Sequence, residues 1–432
     1  MAFIRSLPPA RVAAVLAALL SSAPAHAQDA AAGLSLDETV GFAANQSAQL
    51  AAQRSQITAA REMAVAAGRR PDPVIRLGID NLPVEGPDRF SLTRDFMTMR
   101  SVTVMQELTR SDKRRARTER AELDAEAAAI AGQQALAALQ RDAAMAWLER
   151  SFQESMKLLL LEQQAQARLQ VDAAELLYRA GRGPQADVFM ARAQVEQLDE
   201  RIAAAQQEIA VATTRLARWI GLPATRPLQP RPPLELPVWT GDDLGRHLLQ
   251  HPSVAALVQQ EAIATADVRL ADASRRPDWN VELMFSQRGP AYANMVSVNV
   301  SVPLQWDRAN RQDRELAARQ ALAEKARAER EDALRAHDAE VRVLLQAWRS
   351  QTQRLARYAE RLVPLARQRS DAALTAYRSG TGALPAVLEA RRGEIDTRME
   401  ALRIEMERAR VWGELSFLLP HADDAGRTGE LK

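Results

Sequence analysis

The feature that most constrains this chain is an internal tandem repeat, because each half must then build the same set of elements. Three short strings recur in the same order roughly 200 residues apart. They are RRPD at residues 69–72 and 275–278, VTV at 102–104 with VNV at 298–300, and YRAGRG at 178–183 with YRSGTG at 377–382. They predict two structural repeats, residues 28–221 and 241–420, joined by an extended linker over 222–240 whose closely spaced prolines exclude a helix.

Each repeat contains a pair of segments in which apolar and polar residues alternate. The apolar series are Ile75, Leu77 and Ile79; Val102 and Val104; Trp279, Val281, Leu283 and Phe285; and Val296, Val298, Val300 and Val302. A period of two predicts strands at 73–80, 98–108, 279–287 and 294–304. The alternation fits a half-buried strand of a soluble sheet, and it also fits a transmembrane strand between lipid and a polar lumen.

The N-terminal segment favours the transmembrane alternative. Two arginines precede the apolar run 12–20, and Ala25-His26-Ala27 forms a small-residue cleavage site, which is the order of a secretion signal. We therefore expect residues 1–27 to be removed on export, and residues 421–432 to form a C-terminal tail. The chain has no cysteine, which excludes disulfides, thiolate metal sites and a lipid attached through cysteine.

Four transmembrane strands cannot form a barrel alone. In lipid every backbone polar group must be paired, and the smallest barrels have about eight strands. Two chains would supply about eight strands and three chains about 12, and strand counting does not choose between them. The strands therefore predict an oligomer whose symmetry axis runs through the pore.

Both repeats also contain long heptad segments. Between Asp307 and Tyr377 there is one proline and no glycine, so about 70 residues at ~1.5 Å each predict a rod of about 100 Å. Apolar residues recur at every seventh position in three series: Leu334, Val341, Trp348, Leu355 and Leu362; Val188, Val195, Ile202, Ile209 and Leu216; Ala191, Leu198, Ala205, Ala212 and Trp219. Such heptads predict coiled-coil packing, so the fold class is mainly α with transmembrane β.

Charge and motifs argue against other classes of protein. The 57 Lys and Arg against 55 Asp and Glu leave a net charge of +2, with no basic excess for nucleic acid. We find no nucleotide-binding loop, catalytic triad or paired-carboxylate motif, and expect neither an enzyme nor a cofactor. His247 and His251, on a predicted helix, are interpreted as surface histidines rather than a metal site.

Two further groups of residues have ordinary explanations. Met97, Met99 and Met105 are interpreted as packing in the loop 81–97 and at the barrel rim rather than as soft-metal ligands. The basic series after the second strand fits either a solvated helix start or a belt facing anionic headgroups. It consists of Lys113, Arg114, Arg115 and Arg117.

Together, the signal, the repeated strand pair with a long helical hairpin, and the Tyr-x-x-Gly turns at Tyr178 and Tyr377 resemble the TolC-type outer membrane efflux proteins. The resemblance covers residues 34–420. Segment 80–117 further resembles the heavy-metal cation branch, the outer channels of resistance-nodulation-division pumps. Many members of that branch carry a lipid-modified cysteine after the signal, which this chain lacks, so anchoring would depend on the barrel alone.

The resemblance implies a homotrimer in contact with the lipid of a Gram-negative outer membrane. Each chain would give four strands to a 12-stranded β-barrel, and the hairpins would form a long coiled-coil α-helical barrel in the periplasm. A periplasmic adaptor (membrane fusion) protein would dock at the hairpin tips and link the channel to an inner-membrane resistance-nodulation-division pump. The implied docking residues are Tyr178, Gly181, Gly183, Tyr377, Gly380 and Gly382.

In this family, acidic side chains just beyond the turn surround the periplasmic entrance of the pore. Glu389 matches one such position, Ala386 replaces another, and Asp187 is the counterpart in the first repeat. The function expected is a passive duct, with heavy-metal cations as the cargo. The alternatives are a multidrug or type I secretion duct of the same fold, or a non-conducting coiled-coil scaffold.

Overall fold

The computed structural model describes residues 33–236 and 251–418. The predicted signal 1–27, linker residues 237–240, His247 and the predicted tail 421–432 lie outside these ranges. The helices are α1 (Leu36–Gln46), α2 (Ala48–Ala67), α3 (Ser111–Arg179), α4 (Gln185–Ile220), α5 (Pro252–Ser274), α6 (Gln312–Arg357), α7 (Val363–Arg378) and α8 (Leu384–Ser416). The strands are β1 (Val74–Asp80), β2 (Met99–Leu108), β3 (Trp279–Gln287) and β4 (Met295–Ser301). A mainly helical chain with a small antiparallel sheet is therefore confirmed.

The four strands form one antiparallel sheet in the order β1-β2-β3-β4. The register aligns the alternating apolar residues of neighbouring strands. Leu77 lies opposite Val102, which lies opposite Phe285, and Phe285 lies opposite Val296. Among the described residues β1 and β4 each pair on one side, so the sheet has two open edges.

Strand β4 ends at Ser301, before the predicted end at residue 304. Pro303 is the physical reason. It has no N–H to donate to the strand ladder.

The predicted rod is α6 and α7, joined by a π-helical turn at Tyr358–Leu362. In this turn the backbone N–H of Val363 donates to the carbonyl of Tyr358, five residues earlier. Pro364 follows directly, and in a regular α-helix its ring would collide with the carbonyl four residues back. The wider turn accommodates the proline without ending the helix.

The chain forms two compact units, and each takes segments from both predicted repeats. The described part of the helical unit consists of residues 33–46, 140–235 and 348–413. The described part of the sheet unit consists of residues 47–139, 236, 251–347 and 414–418.

The helical unit has a coiled-coil core where α3, α4 and α8 meet. Leu160 from α3, Leu198 and Ile202 from α4, and Ile395 from α8 belong to one buried cluster. Most of the predicted heptad positions of α4 are buried, although Trp219 is only half-buried and Ile220 is buried instead. The series along α6 and α7 is less covered: Val341 is fully buried, Trp348 and Leu355 are half-buried, and Leu362 is exposed.

Residues 222–236 of the linker are extended apart from a 3₁₀ turn at Leu222–Thr225, and they pack on the helices. Leu228 forms a parallel bridge with Leu34. The side chain of Arg150 donates to the carbonyl of Ala224, and the guanidinium of Arg231 lies 4.2 Å from the centre of the Phe152 ring. The segment is thus held by specific contacts.

In the sheet unit, ion pairs join α3, α5 and α6. Arg120 on α3 contacts Asp267 on α5 at 2.6 Å, and Arg319 on α6 contacts the same carboxylate at 3.2 Å. Throughout residues 33–236 and 251–418, no helix is both long and apolar enough to cross a membrane.

Candidate functional site

One face of the sheet is apolar and exposed. Leu77 is 75% exposed, and Val298 on β4 is 66% exposed. The same face carries further exposed apolar side chains on all four strands: Ile75, Ile79, Val102, Val104, Trp279, Leu283, Phe285, Val296 and Val300. Because large exposed apolar patches are rare on soluble monomers, this face is a candidate contact surface.

The opposite face of the central strands is mostly polar, and its residues are buried or half-buried. Ser101 and Thr103 on β2 are 7% and 3% exposed, and Ser286 on β3 is 1% exposed. This burial is the reverse of a soluble sheet, which buries its apolar face. It is the arrangement of a sheet that presents its apolar face to lipid and its polar face to a lumen.

The length of the strands fits this interpretation. β3 has nine residues, which at ~3.4 Å each extend about 30 Å. A tilt of roughly 40° reduces this to about 23 Å, close to the ≈25 Å apolar band of membrane barrels. On the apolar face, the rows of apolar residues stop at the loop end of the sheet, where Arg100 on β2 is paired with Gln287 on β3.

The two loops that connect the strand pairs contact each other at the end away from the helices. The side chain of Arg288 donates to the carbonyl of Phe96 at 3.0 Å. Gly289 lies so close to Thr93 that a Cβ at this position would collide with the Thr93 carbonyl. Met99 and Met105 lie on the polar face of β2, because they are an even number of residues away from Ser101 and Thr103 in the strand.

The basic series after β2 is not simply solvated. Lys113 is 18% exposed, and its ammonium contacts Asp278 at 2.6 Å. Burial alone would raise the pKa of Asp278, but the hydrogen bonds from Lys113 and from the backbone N–H of Arg110 outweigh it, so the pKa is lowered. Lys113 therefore forms an ion pair within the fold, a contact that neither interpretation of the basic series included.

The two Tyr-x-x-Gly turns are built alike. Gly181 and Gly380 have φ of +71° and +77°, in the left-handed region that glycine adopts without strain. Each glycine N–H donates to the carbonyl of the tyrosine three residues earlier, at 3.0 Å to Tyr178 and 3.1 Å to Tyr377. At Gly382 a Cβ would lie 3.0 Å from that of Ala376, while at Gly183 it would lie 3.3 Å from that of Leu177.

The structure brings the two hairpin tips together. Ala174, Val188, Leu384 and Val387, which come from both hairpins, form one buried cluster, and Tyr377 packs against it. Burial raises the pKa of Tyr377, and the carboxylate of the half-buried Asp187 raises it further. Asp187 and Tyr377, predicted from different repeats, are thus electrostatic neighbours.

Glu389 has a partner that the sequence analysis missed. Its carboxylate contacts the guanidinium of Arg369 on α7 at 2.9 Å, and the two side chains are 75% and 65% exposed. The pairing carries no sequence signal, because the two residues are 20 positions apart and only the folded hairpin brings them together. In the first hairpin a different pair, Glu175 and Arg192, joins the two helices at 2.7 Å.

His251 was predicted to be a surface residue on a helix, and both expectations are wrong. It is half-buried and precedes α5, which begins at Pro252 because proline favours the first helical position. Its ring centre lies 4.1 Å from that of His337. Within the described ranges, no group of three His, Cys, Asp or Glu side chains could hold a metal ion.

Comparison with solved structures identifies the fold. The chain is similar to the outer-membrane channel OprN, with 22% identity and a TM-score of 0.76 over 89% of each chain. It is similar to CusC, studied for its folding and transmembrane channel formation, with 16% identity and a TM-score of 0.76 over 89% of this chain and 92% of that chain. It is also similar to the Campylobacter jejuni outer membrane channel CmeC, with 12% identity and a TM-score of 0.73 over 91% of this chain and 88% of that chain.

No protein-family model and no curated protein matches the sequence. At these identities the structural likeness establishes the fold. The resemblance to TolC-type outer membrane channels, first drawn from the repeat and the turns, is confirmed at that level.

Proposed function

We propose that this chain belongs to the TolC-type outer membrane efflux proteins and that three copies form a passive duct through the outer membrane of a Gram-negative cell. Each copy gives β1–β4 to a 12-stranded barrel, and the hairpins form an α-helical barrel in the periplasm. The duct performs no catalysis and receives its cargo from a periplasmic adaptor and an inner-membrane pump.

The observation that carries this proposal is the inverted sheet. Its apolar face is exposed, whereas Ser101, Thr103 and Ser286 on the other face are buried. Leaving a large apolar side chain in water forgoes about 1.5–3 kcal/mol of burial free energy, and this sheet carries eleven of them on one face. Contact with lipid removes that cost, and the fold shared with solved outer-membrane channels supports the same function.

The open edges of the sheet support an oligomer. Unpaired backbone groups on β1 and β4 are unfavourable in lipid, so other copies must pair with them. The helical unit also supports an oligomer, because α3 has a series of exposed apolar residues for which a helix of another copy is a fitting partner. It consists of Leu158, Leu169 and Leu176, which are 66%, 62% and 65% exposed.

We further propose that the tip residues dock the adaptor and that heavy-metal cations are the cargo. The docking proposal covers Tyr178, Gly181, Gly183, Tyr377, Gly380 and Gly382, and rests on the matching turns in one cluster. The cargo proposal rests on the resemblance of segment 80–117 to the heavy-metal branch, with a resistance-nodulation-division pump as the partner. Expressing this protein in a strain that lacks its own channel should raise that strain's tolerance of metal cations. A multidrug duct would instead raise its tolerance of lipophilic drugs.

The test of the duct is conductance across a planar bilayer, compared for two adjacent positions on β4. Val298 lies on the apolar face and Asn299 on the polar face. Val298→Arg should reduce insertion, since arginine facing lipid near the midplane costs about 2–4 kcal/mol. Asn299→Arg should insert and conduct with altered ion selectivity. A non-conducting scaffold would give no current in any of the three proteins.

The same measurement tests Glu389 at the pore entrance. If three copies surround the axis, the three carboxylates favour cations but are partly offset by the paired Arg369 side chains. Glu389→Ala should therefore shift the reversal potential in a salt gradient towards anions, and Arg369→Gln should shift it towards cations. Asp187 is proposed to contribute less, because it is half-buried beside Tyr377. Identical reversal potentials in both variants and wild type would remove this pair from the pore.

A further inference from the structure

The RRPD motif occurs twice in the chain, and its two copies have different partners. In the second copy, Asp278 accepts a hydrogen bond from the backbone N–H of Arg110 at 3.0 Å and contacts the ammonium of Lys113 at 2.6 Å. These contacts join the segment before β3 to the start of α3. In the first copy, Asp72 is exposed and forms no ion pair with any described residue. One carboxylate of the repeat therefore lacks the partner that its counterpart has.

The start of α6 carries the matching base. Residues 110–113 read RSDK and residues 311–314 read RQDR, so Arg314 is the counterpart of Lys113. Arg314 is exposed and, within the part of the chain that the structure describes, forms no ion pair. Arg314 and Asp72 are thus an unpaired base and an unpaired acid whose counterparts pair with each other.

The order of the strands shows where these two residues can meet. β2 leads into α3 and α5 leads into β3, and because β2 and β3 pair antiparallel, the end of β2 meets the start of β3. β4 leads into α6 and α2 leads into β1 in the same way, but β4 and β1 are the two open edges of the sheet. If β4 of one copy pairs antiparallel with β1 of the next, the start of α6 meets the segment before β1. The junction within the chain is therefore a template for a junction between copies.

Both segments also carry exposed apolar side chains. The connection from β4 to α6, residues 302–311, is longer than the connection from β2 to α3. It contains Leu304 and Trp306, which are 69% and 90% exposed, although tryptophan is highly buried on average. Just before β1, Pro71 and Pro73 are exposed as well. Each of the two segments therefore presents an apolar surface beside one unpaired charge.

We propose that these two segments form a seam between neighbouring copies of this chain. Arg314 of one copy forms an ion pair with Asp72 of the next, and Trp306 packs on Pro71 and Pro73 of that next copy. A buried tryptophan supplies a large contact area, and the opposite charges fix the register of the two copies. The inference rests on the proposed function, because it takes β4 and β1 to join between copies.

The ion pair is tested by exchanging its charges in the full-length protein and following dissociation of the oligomer in detergent by native mass spectrometry. Asp72→Lys or Arg314→Asp alone should raise the dissociation rate about tenfold, because each junction loses an attraction and gains a repulsion. The double variant Asp72→Lys with Arg314→Asp should recover most of the wild-type stability. Asp72→Lys with Arg115→Asp is the matched control. It has the same net charge, but Arg115 is exposed in a groove against α5 of its own chain, so no recovery is expected.

Trp306 distinguishes a second copy from lipid as the occupant of this surface. In the seam, Trp306→Ala should also raise the dissociation rate about tenfold, since tryptophan is a frequent anchor of interfaces. Brominated lipids should then quench the tryptophan emission of wild type no more than that of Trp306→Phe. Stronger quenching of wild type, with no effect of Trp306→Ala on dissociation, would show that this side chain faces lipid and would overturn the seam.

The duct and the seam fail in different ways. An oligomer that conducts, and that dissociates equally fast in wild type and in both single charge variants, would overturn the seam and leave the duct intact. Equal recovery with Arg314→Asp and with Arg115→Asp would also overturn the seam, because the effect would then come from net charge. A protein that is only monomeric and gives no current would overturn the duct and the seam together.

Discussion

His251 caps α5 and also lies against a second imidazole. Its Nδ1 accepts a hydrogen bond from the backbone N–H of Ser253 at 3.3 Å, and its ring faces that of His337 on α6. The pKa of His251 is lowered to about 4, mainly by burial and also by the neighbouring His337, while the carboxylate of Glu340 has an opposing effect. The ring is therefore neutral at pH 7, as its role as an acceptor requires.

This histidine predicts a specific loss of stability in acid. Its folded-state pKa lies below the unfolded value of 6.5, so the unfolded chain binds more protons between about pH 6.5 and 4. The free energy of unfolding should fall as the pH is lowered through that window, by on the order of 1–2 kcal/mol after allowing for solvent screening. Thermal unfolding followed by helical circular dichroism at pH 7 and pH 5 measures this loss.

The control variant keeps the cap but removes the titration. Asparagine is a good N-cap residue and carries no proton equilibrium in this range, so His251→Asn should unfold with a smaller difference between pH 7 and pH 5. An unchanged difference in the variant would show that other groups cause the acid sensitivity.

Individual side chains were the least predictable part of the molecule. The sequence identified Glu389 and Asp187 but not their neighbours, because the partners Arg369 and Tyr377 are brought close only by the folded hairpins. Spacing identifies types of residue, whereas contacts require tertiary structure.

The turns at the two hairpin tips are the elements whose geometry is most demanding. A Cβ added at Gly181 or Gly380 would meet no atom within 4 Å among the described residues, so only the positive φ resists substitution. Replacing both with valine should strain the turns, at roughly 1–2 kcal/mol per residue. We expect weaker binding of the proposed adaptor and reduced export, while the sheet still inserts and conducts.

Binding of purified adaptor measured by biolayer interferometry, together with conductance, checks this expectation. Gly393→Ala is a matched control, because it lies inside α8 with an open surrounding and without a positive φ. Full adaptor binding by the double valine variant, when it conducts normally, would exclude the tips from docking.

Elements were predictable where a period was sustained over many residues. The starts of β1, β2 and β4 lie within one residue of the predicted starts. The agreement is close because the apolar alternation continues to the strand ends. The prolines caused the differences. Pro303 shortens β4, and Pro364 introduces a π turn that a count of residues without glycine cannot reveal.

At the scale of the whole molecule, the predicted repeats and the observed compact units divide the chain differently. Each long hairpin contributes residues to both units, as α3 does on either side of residue 140. A repeat in the sequence shows which elements recur, but it does not show which of them pack together. The number of copies needed to complete the sheet likewise depends on contacts that one chain does not contain.

The open edges of the sheet predict how copies join, and the absence of cysteine makes the test direct. In a closed barrel of three chains, β4 of one copy pairs antiparallel with β1 of the next. Val298→Cys combined in turn with Ile75→Cys, Leu77→Cys or Ile79→Cys scans the register of this contact. One combination should give disulfide-linked species up to a trimer on non-reducing gels of membranes.

The matched control is Val102→Cys with Phe285→Cys, which lie directly opposite each other within one chain. This pair should cross-link only within the monomer, since both strands belong to the same copy. A ladder that stops at two chains would indicate an eight-stranded barrel, because two copies would then close the sheet. If no combination cross-links while the control pair does, β1 and β4 do not meet between copies, and the barrel proposed for this chain is wrong.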